Sequence, residues 1–313
     1  MPDALLILRT PLQAHLARQV IEKEEIKNYD LIYLTQNNSQ EDQFYFSKLS
    51  DGLGCRKYVF VPPMRVDVLN HFKFRQKLHD CFKDFRRDLV IVGSVDAPVI
   101  SALTRKQKIS TLVTIDDGSA NVNKGSAYHN PERSIRYKIY EYLLRAETFK
   151  KIRNRIDRHY TLFQGLENIV GKDRLRYLPS ICPEIDREIK KDARIYFIGW
   201  PVPDKYRDLV TASVKEFLGE RKIDSYVRHP REETPLNFAA PLLEKGGRIA
   251  EEAILLDAAG REVHILSTFS TCALNLAPFV ASSTVFIRPG VDQKTASEME
   301  RVAKLCCCAV RRF

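Results

Sequence analysis

Short apolar runs recur along the first half of the chain, at residues 4–8, 30–34, 57–61, 88–92 and 110–115. Runs this short, rich in Leu, Val and Ile and bounded by polar residues, predict strands buried on both faces. Between them lie segments with helical spacing, one after Pro11, one over 66–85 and one over 97–105. This alternation predicts a parallel, doubly wound α/β sheet with helices on both faces.

A charge-dense, Pro-containing segment at 179–193 predicts an interdomain linker. The alternation then restarts, with strands expected at 194–198, 224–228, 263–267 and 283–288. Helices are expected at 205–218, 250–259, 272–280 and 293–306. A chain of 313 residues exceeds the roughly 250 to 300 that one core accommodates, which also argues for two domains. We place them at residues 1–180 and 181–313. Two consecutive α/β units without sequence repetition suit the GT-B type, with two Rossmann-like domains facing a central cleft. Ligands of such sheets sit at the carboxyl ends of strands, so the chemistry is sought in the loops that follow them.

Composition adds a partner class. The net charge of +10 calls for an anionic partner: nucleic acid, an acidic membrane surface or a phosphorylated small molecule. Seven cysteines without a C-x-x-C pair argue against a secreted disulfide framework and for a reducing cytoplasm. The contiguous Cys306, Cys307 and Cys308 point in different directions on any regular element, so they are expected to be structural. The start of the chain lacks the length and flanks of a signal peptide, and no run reaches the roughly 18 apolar residues of a membrane span. Any membrane contact is therefore expected to be peripheral. The basic amphipathic stretch 131–158 is expected to be one long helix, and suits either a solvated helix or a surface docking on anionic lipid.

Three motifs follow predicted strands. In Ile115-Asp116-Asp117-Gly118-Ser119, two adjacent carboxylates at a strand end compete for ionisation, which lifts one toward general-base strength. The same residues also suit an ordinary Asp-Gly turn. In Arg228-His229-Pro230-Arg231, a His fixed by Pro and flanked by two Arg suits phosphate recognition, and its imidazolium can protonate a leaving phosphate oxygen. An ordinary loop His is the alternative. Ser267-Thr268-Phe269-Ser270-Thr271 runs a strand into a helix, where hydroxyls and free N–H groups form an anion site or Ser270 simply caps.

In this order, the acidic pair with Gly118, then His229-Pro230, then Ser270-Thr271 resembles the bacterial sialyltransferases. Thr10-Pro11-Leu12-Gln13 after the first strand, and Phe197-Ile198-Gly199-Trp200-Pro201, bring the resemblance closest to glycosyltransferase family 52, the lipooligosaccharide sialyltransferases. It spans about residues 4–290, although Trp200 departs from the polar residue expected after Gly199.

The resemblance implies an inverting transferase moving sialic acid from CMP-sialic acid to a galactose-type hydroxyl of a glycan such as lipooligosaccharide or capsule. The N-terminal domain is then the acceptor side and the C-terminal domain binds the CMP-sugar. It makes Asp117 the base and His229 the acid, with Ser270 and Thr271 on the CMP phosphate. Glu251 or Glu252 falls to the ribose, with Gly199 and Pro230 at the nucleotide. Thr10, Gln13, Asp116, Gly118 and Ser119 are expected to contact acceptor or donor sugar. No Asp-x-Asp occurs in the chain, and the leaving CMP is a monophosphate, so neither metal nor cofactor is expected.

The expected partners are CMP-sialic acid, a lipid-linked glycan acceptor, an anionic membrane touched from its cytoplasmic face and a second copy in a homodimer. The alternatives are transfer of another CMP-activated nonulosonic or octulosonic acid, and a non-enzymatic nucleic-acid-binding α/β protein. Against the latter, Asp116 and Asp117 would repel phosphates without benefit.

Overall fold

Apolar runs with no polar interruption can only be satisfied by burial on both faces, and the computed structural model is organised around them. It describes residues 3–63, 87–106, 109–129, 134–179, 181, 190–287 and 289–313, with isolated positions between 72 and 85. The helix expected over 66–85 and most of the linker, with Cys81 and Cys182, lie outside the described residues. The chain divides into two compact units, Met1–Leu178 and Pro179–Phe313.

Among the described residues the first unit holds seven parallel strands: β1 (Asp3–Leu8), β2 (Asn28–Leu34), β3 (Cys55–Val61), β4 (Leu89–Val92), β5 (Thr111–Ile115), β6 (Arg158–Thr161) and β7 (Leu175–Tyr177). Their order is β3-β2-β1-β4-β5-β6-β7. Alternate side chains of β1 and β4, among them Leu5, Ile7, Val90 and Val92, pack into one core cluster with Ile152 and Ile156. The winding direction reverses between β1 and β4, and at such a switch point the flanking loops part and leave a crevice at the carboxyl ends. Helices α1 (Pro11–Lys23), α2 (Gln40–Ser50) and α3 (Pro98–Lys106) connect the early strands. The pattern did not predict α2, which a Ser39–Asp42 capping box starts.

The long helix expected over 131–158 is instead two helices, α4 (Ile135–Leu144) and α5 (Phe149–Arg155), followed by β6. Arg145 adopts a left-handed conformation at φ 53°, and the Ala146 N–H returns to the Glu141 carbonyl at 2.8 Å, which closes α4. The chain turns there because Ile152 and Ile156 enter the sheet core, which one continuous basic helix would not allow.

The second unit holds β8 (Lys190–Ile198), β9 (Ser225–Val227), β10 (Arg261–Ser267), β11 (Ser282–Ile287) and β12 (Ala309–Arg312), all parallel in the order β12-β11-β10-β8-β9. Its switch point falls between β8 and β10. Helices α6 (Asp204–Leu218), α7 (Ala250–Ala258), α8 (Thr271–Leu276) and α9 (Gln293–Leu305) connect them. The helix expected over 272–280 has only six residues and ends in a 3-10 turn at Ala277–Phe279, because Pro278 has no N–H to continue the ladder.

Cys306 and Cys308 are buried while Cys307, at φ 63°, is exposed, so the three thiols diverge. Burial pushes the Cys308 thiol up to about 11. Among the described residues no helix is long and apolar enough to cross a membrane.

Candidate active site

In the first unit the residues after β1, β4 and β5 converge on Asp117. Gln13, in the first turn of α1, donates from Nε2 to Asp117 Oδ1 at 2.7 Å and to Ser94 Oγ at 2.7 Å. Ser94 and Tyr128 each donate a hydroxyl to Asp117 Oδ2 at 3.0 Å. The Asp117 N–H is held by Asn121 Oδ1 at 2.7 Å, and Gly118 at φ 63° supplies the turn that a side chain would strain. Burial, then the carboxylates of Asp117 and Asp96, push the Tyr128 phenol well upward, so it keeps its proton and remains a donor. Among the described residues Oδ1 carries a single donor, which leaves it capacity to accept from a hydroxyl.

Gln13 is fully buried, and its Oε1 accepts the Arg9 N–H at 2.9 Å. It lies so close over Gly93 that a Cβ there would meet Gln13 Cδ at 2.2 Å. Thr10 caps α1 by accepting the Gln13 N–H at 3.3 Å. Thr10 and Gln13, expected at the sugar, thus build the seat of Asp117. Ser119 belongs to the 3-10 turn Gly118–Asn121, beside the carboxylate in sequence.

Asp116 is corrected. It is buried, with Oδ1 3.1 Å from His159 Nε2 and Oδ2 accepting the Leu162 N–H at 2.8 Å. Both oxygens tie β5 to β6, and at 1% exposure the side chain is closed to a sugar. The two adjacent carboxylates serve separate partner sets. Successive residues leaving a strand point to opposite sides, which separates them.

In the second unit, His229 follows β9. The Arg231 N–H donates to its Nδ1 at 3.1 Å, which leaves the single proton of the neutral ring on Nε2. Burial, reinforced by Arg231 and Lys245, lowers His229 to about 4. The expected imidazolium is therefore a neutral ring at neutral pH in the free protein. Pro230 forms the bend that brings Arg231 back onto the ring. Trp200 packs on His229 with centroids 4.3 Å apart, and the Arg231 guanidinium lies 5.4 Å over Trp200. Trp200, Pro201, Val202, Pro203 and Arg231 line an open depression of about 570 Å³.

Glu232, which no motif signalled, stands beneath this loop. It is buried, accepts the Tyr226 hydroxyl at 2.6 Å, and lies 3.4 Å from the His229 N–H. Burial raises its pKa. A Cβ on Gly199 would fall 2.3 Å from Glu232 Oε2, so Gly199 is small to admit that carboxyl group.

Ser270 caps α8 by accepting the Cys272 N–H at 3.3 Å, and its hydroxyl donates to no acceptor among the described residues. Phe269 before it holds φ 74°, a conformation side chains rarely adopt. Thr271 opens the helix. Glu251 is buried on α7 and accepts from Asn275 Nδ2 on α8 at 2.8 Å, while Glu252 turns toward Arg248 at 3.7 Å. Of the two, Glu251 shares the α8 side with Ser270. The loops carrying His229 and Ser270 follow β9 and β10, which flank β8, so about two strand spacings, roughly 10 Å, separate them.

Two all-parallel α/β units in succession, each with its polar residues gathered at the strands' carboxyl ends, define a GT-B fold. The chain belongs to glycosyltransferase family 52, whose model matches residues 19–290. It is 25% identical over 191 residues to the N-acetyllactosaminide alpha-2,3-sialyltransferase of Neisseria meningitidis, covering 57% of this chain and 50% of that one. The chain thus spans half the length of that relative. With the CMP-N-acetylneuraminate:beta-galactoside alpha-2,3-sialyltransferase of Pasteurella multocida it shares 25% identity over 281 residues, 87% of this chain and 86% of the relative.

Among solved structures it resembles the UDP-N-acetylglucosamine 2-epimerase from Rickettsia bellii, with a TM-score of 0.52 and 14% identity over 89% of this chain and 77% of that chain. Arabidopsis thaliana UGT89C1 complexed with quercetin gives a TM-score of 0.54 and 9% identity, covering 99% of this chain and 85% of the other. At such identities these likenesses speak to fold alone.

Proposed function

We propose that the protein is an inverting, metal-independent sialyltransferase, moving sialic acid from CMP-sialic acid to a galactose-type hydroxyl of a lipid-linked glycan. The observation that carries the reading is the carboxylate of Asp117, oriented by Gln13, Ser94 and Tyr128 at a switch point, in a chain whose relatives are sialyltransferases.

Asp117 Oδ1 takes the proton of the acceptor hydroxyl as its oxygen bonds to the anomeric carbon. The bond from that carbon to the phosphate oxygen breaks, its electron pair leaving with CMP. In the second unit, the His229 Nε2–H donates to the departing phosphate, and the anionic donor offsets Arg231 and Lys245, raising the ring's affinity for a second proton. Ser270 and Thr271 hydrogen-bond the phosphate, and Glu251 takes the ribose. A phosphate shared by His229 and Ser270 would lie over the Gly199-Trp200 loop, because that loop follows the strand between theirs.

Docking on anionic lipid belongs to the same reading. On α4, Ile135, Ile139 and Tyr142 are exposed at 78%, 45% and 83%, at the i, i+4 and i+7 spacing of one face. Lys138 on α4, Arg145 at its end, and Lys150 and Lys151 on α5 are exposed. This combination suits the headgroup region at the cytoplasmic face. The test of activity is CMP release from CMP-sialic acid in the presence of galactosides. Release that occurs without acceptor dependence, or not at all across the panel, would refute sialyl transfer.

A further inference from the structure

Arg9 directly follows β1 at the switch point of the first unit, and no sequence motif drew attention to it. Its backbone N–H is engaged by Gln13, but its guanidinium makes no hydrogen bond or ion pair among the described residues, and the buried Nε has no acceptor. Burial lowers its affinity for its proton against the attraction of Asp117 and Asp96, so the cation is held near both carboxylates without pairing to either. The residue keeps partial exposure, so its fork remains reachable from solvent. A desolvated guanidinium left unpaired is costly, and the cost is relieved when an anion arrives to complete it.

We propose that Arg9 is an anion-binding residue that takes a substrate carboxylate beside Asp117. This rests on the sialyltransferase reading for the identity of the carboxylate. A sialic acid carries its carboxylate on the anomeric carbon itself, the atom attacked by the hydroxyl that Asp117 deprotonates. A group near Asp117 is therefore within reach of it. The second source of the same chemistry is an acidic sugar on the acceptor. Either way, Arg9 discriminates a charged substrate from its neutral counterpart, because a planar guanidinium matches a carboxylate in two parallel hydrogen bonds.

The experiment compares wild type, Arg9→Gln and Arg9→Lys by calorimetry with four probes: CMP-sialic acid, CMP, lactose and sialyllactose. Arg9→Gln should weaken one carboxylate-bearing probe by about 10-fold to 100-fold while CMP and lactose bind as before. Loss on CMP-sialic acid assigns the donor carboxylate, and loss on sialyllactose an acidic acceptor. Arg9→Lys should recover only part, lacking the planar fork. Unchanged binding of both acids, equal loss on all four probes, or no binding of either acid by wild type would overturn the proposal. Transfer by wild type is measured alongside. A wild type that binds the acids in an Arg9-dependent way yet releases no CMP refutes sialyl transfer and leaves the anion site standing.

Discussion

Gln13 and Asp117, 104 residues apart, meet through a 2.7 Å hydrogen bond that joins the first turn of α1 to the end of β5. Gln13 also holds Ser94, so one buried amide positions both the carboxylate and one of its donors.

Replacing Asp117 by Asn removes the proton acceptor at nearly constant size. Transfer should fall by about 100-fold to 10,000-fold, the usual loss for a general base, with CMP affinity unchanged in calorimetry. Wild-type turnover in this variant would dismiss Asp117 as base.

Gly93→Ala tests the seat without touching the carboxylate. Its Cβ would fall 2.2 Å from Gln13 Cδ and displace the amide. We expect kcat to drop on the order of 100-fold from misplacement of Asp117, and stability to fall by about 1–3 kcal/mol from overpacking. Steady-state kinetics and thermal melts read the two effects separately, and an unchanged kcat would mean that Gln13 is not needed to orient the base.

His229 links folding to pH. Its affinity for a proton is lower in the folded chain, about 4 against an ordinary 6.5, so between those values the unfolded chain binds more protons. This contribution is fully present above pH 6.5 and is lost as pH falls toward 4. Denaturant titrations should therefore show a shallower pH dependence across that window in His229→Gln than in wild type. Equal slopes would place the ring in an unperturbed environment.

Metal independence is checked by chelation. Transfer should persist in excess EDTA, because the proposed stabilisation of CMP comes from His229, Ser270 and Thr271. Abolition by EDTA with recovery on adding Mg²⁺ or Mn²⁺ would defeat the mechanism.

The exposed face of α4 offers a binding test. Sedimentation with anionic vesicles should weaken as salt rises, with Lys150→Gln and Lys151→Gln, and with Ile139→Ser and Tyr142→Ser. Association indifferent to all of these would return the helix to a solvated surface.

Most central strands were legible because burial on both faces writes a local apolar run, as in β1, β4 and β5. Others were not: β6 and β7 carry Arg, His and Tyr, with Arg158 and Tyr160 both bound to Glu24, so no such run marks them. The break at Arg145 was hidden because helical spacing continues through it and only the core decides where Ile152 packs.

From the sequence alone came the α/β alternation, the restart near residue 180, and the placing of Asp117, His229 and Ser270 after strands, since each depends on a few neighbouring residues. Tertiary structure alone decided that Asp116 faces His159 while Asp117 faces Gln13, Ser94 and Tyr128, that Glu232 fills the space above Gly199, and that the Arg9 guanidinium has no partner among the described residues. Those relationships depend on strand order. A local pattern specifies that a segment is a strand and which faces are buried, but its neighbours are chosen by the packing of the whole sheet, and that choice set β1 beside β4 and brought Gln13 to Asp117.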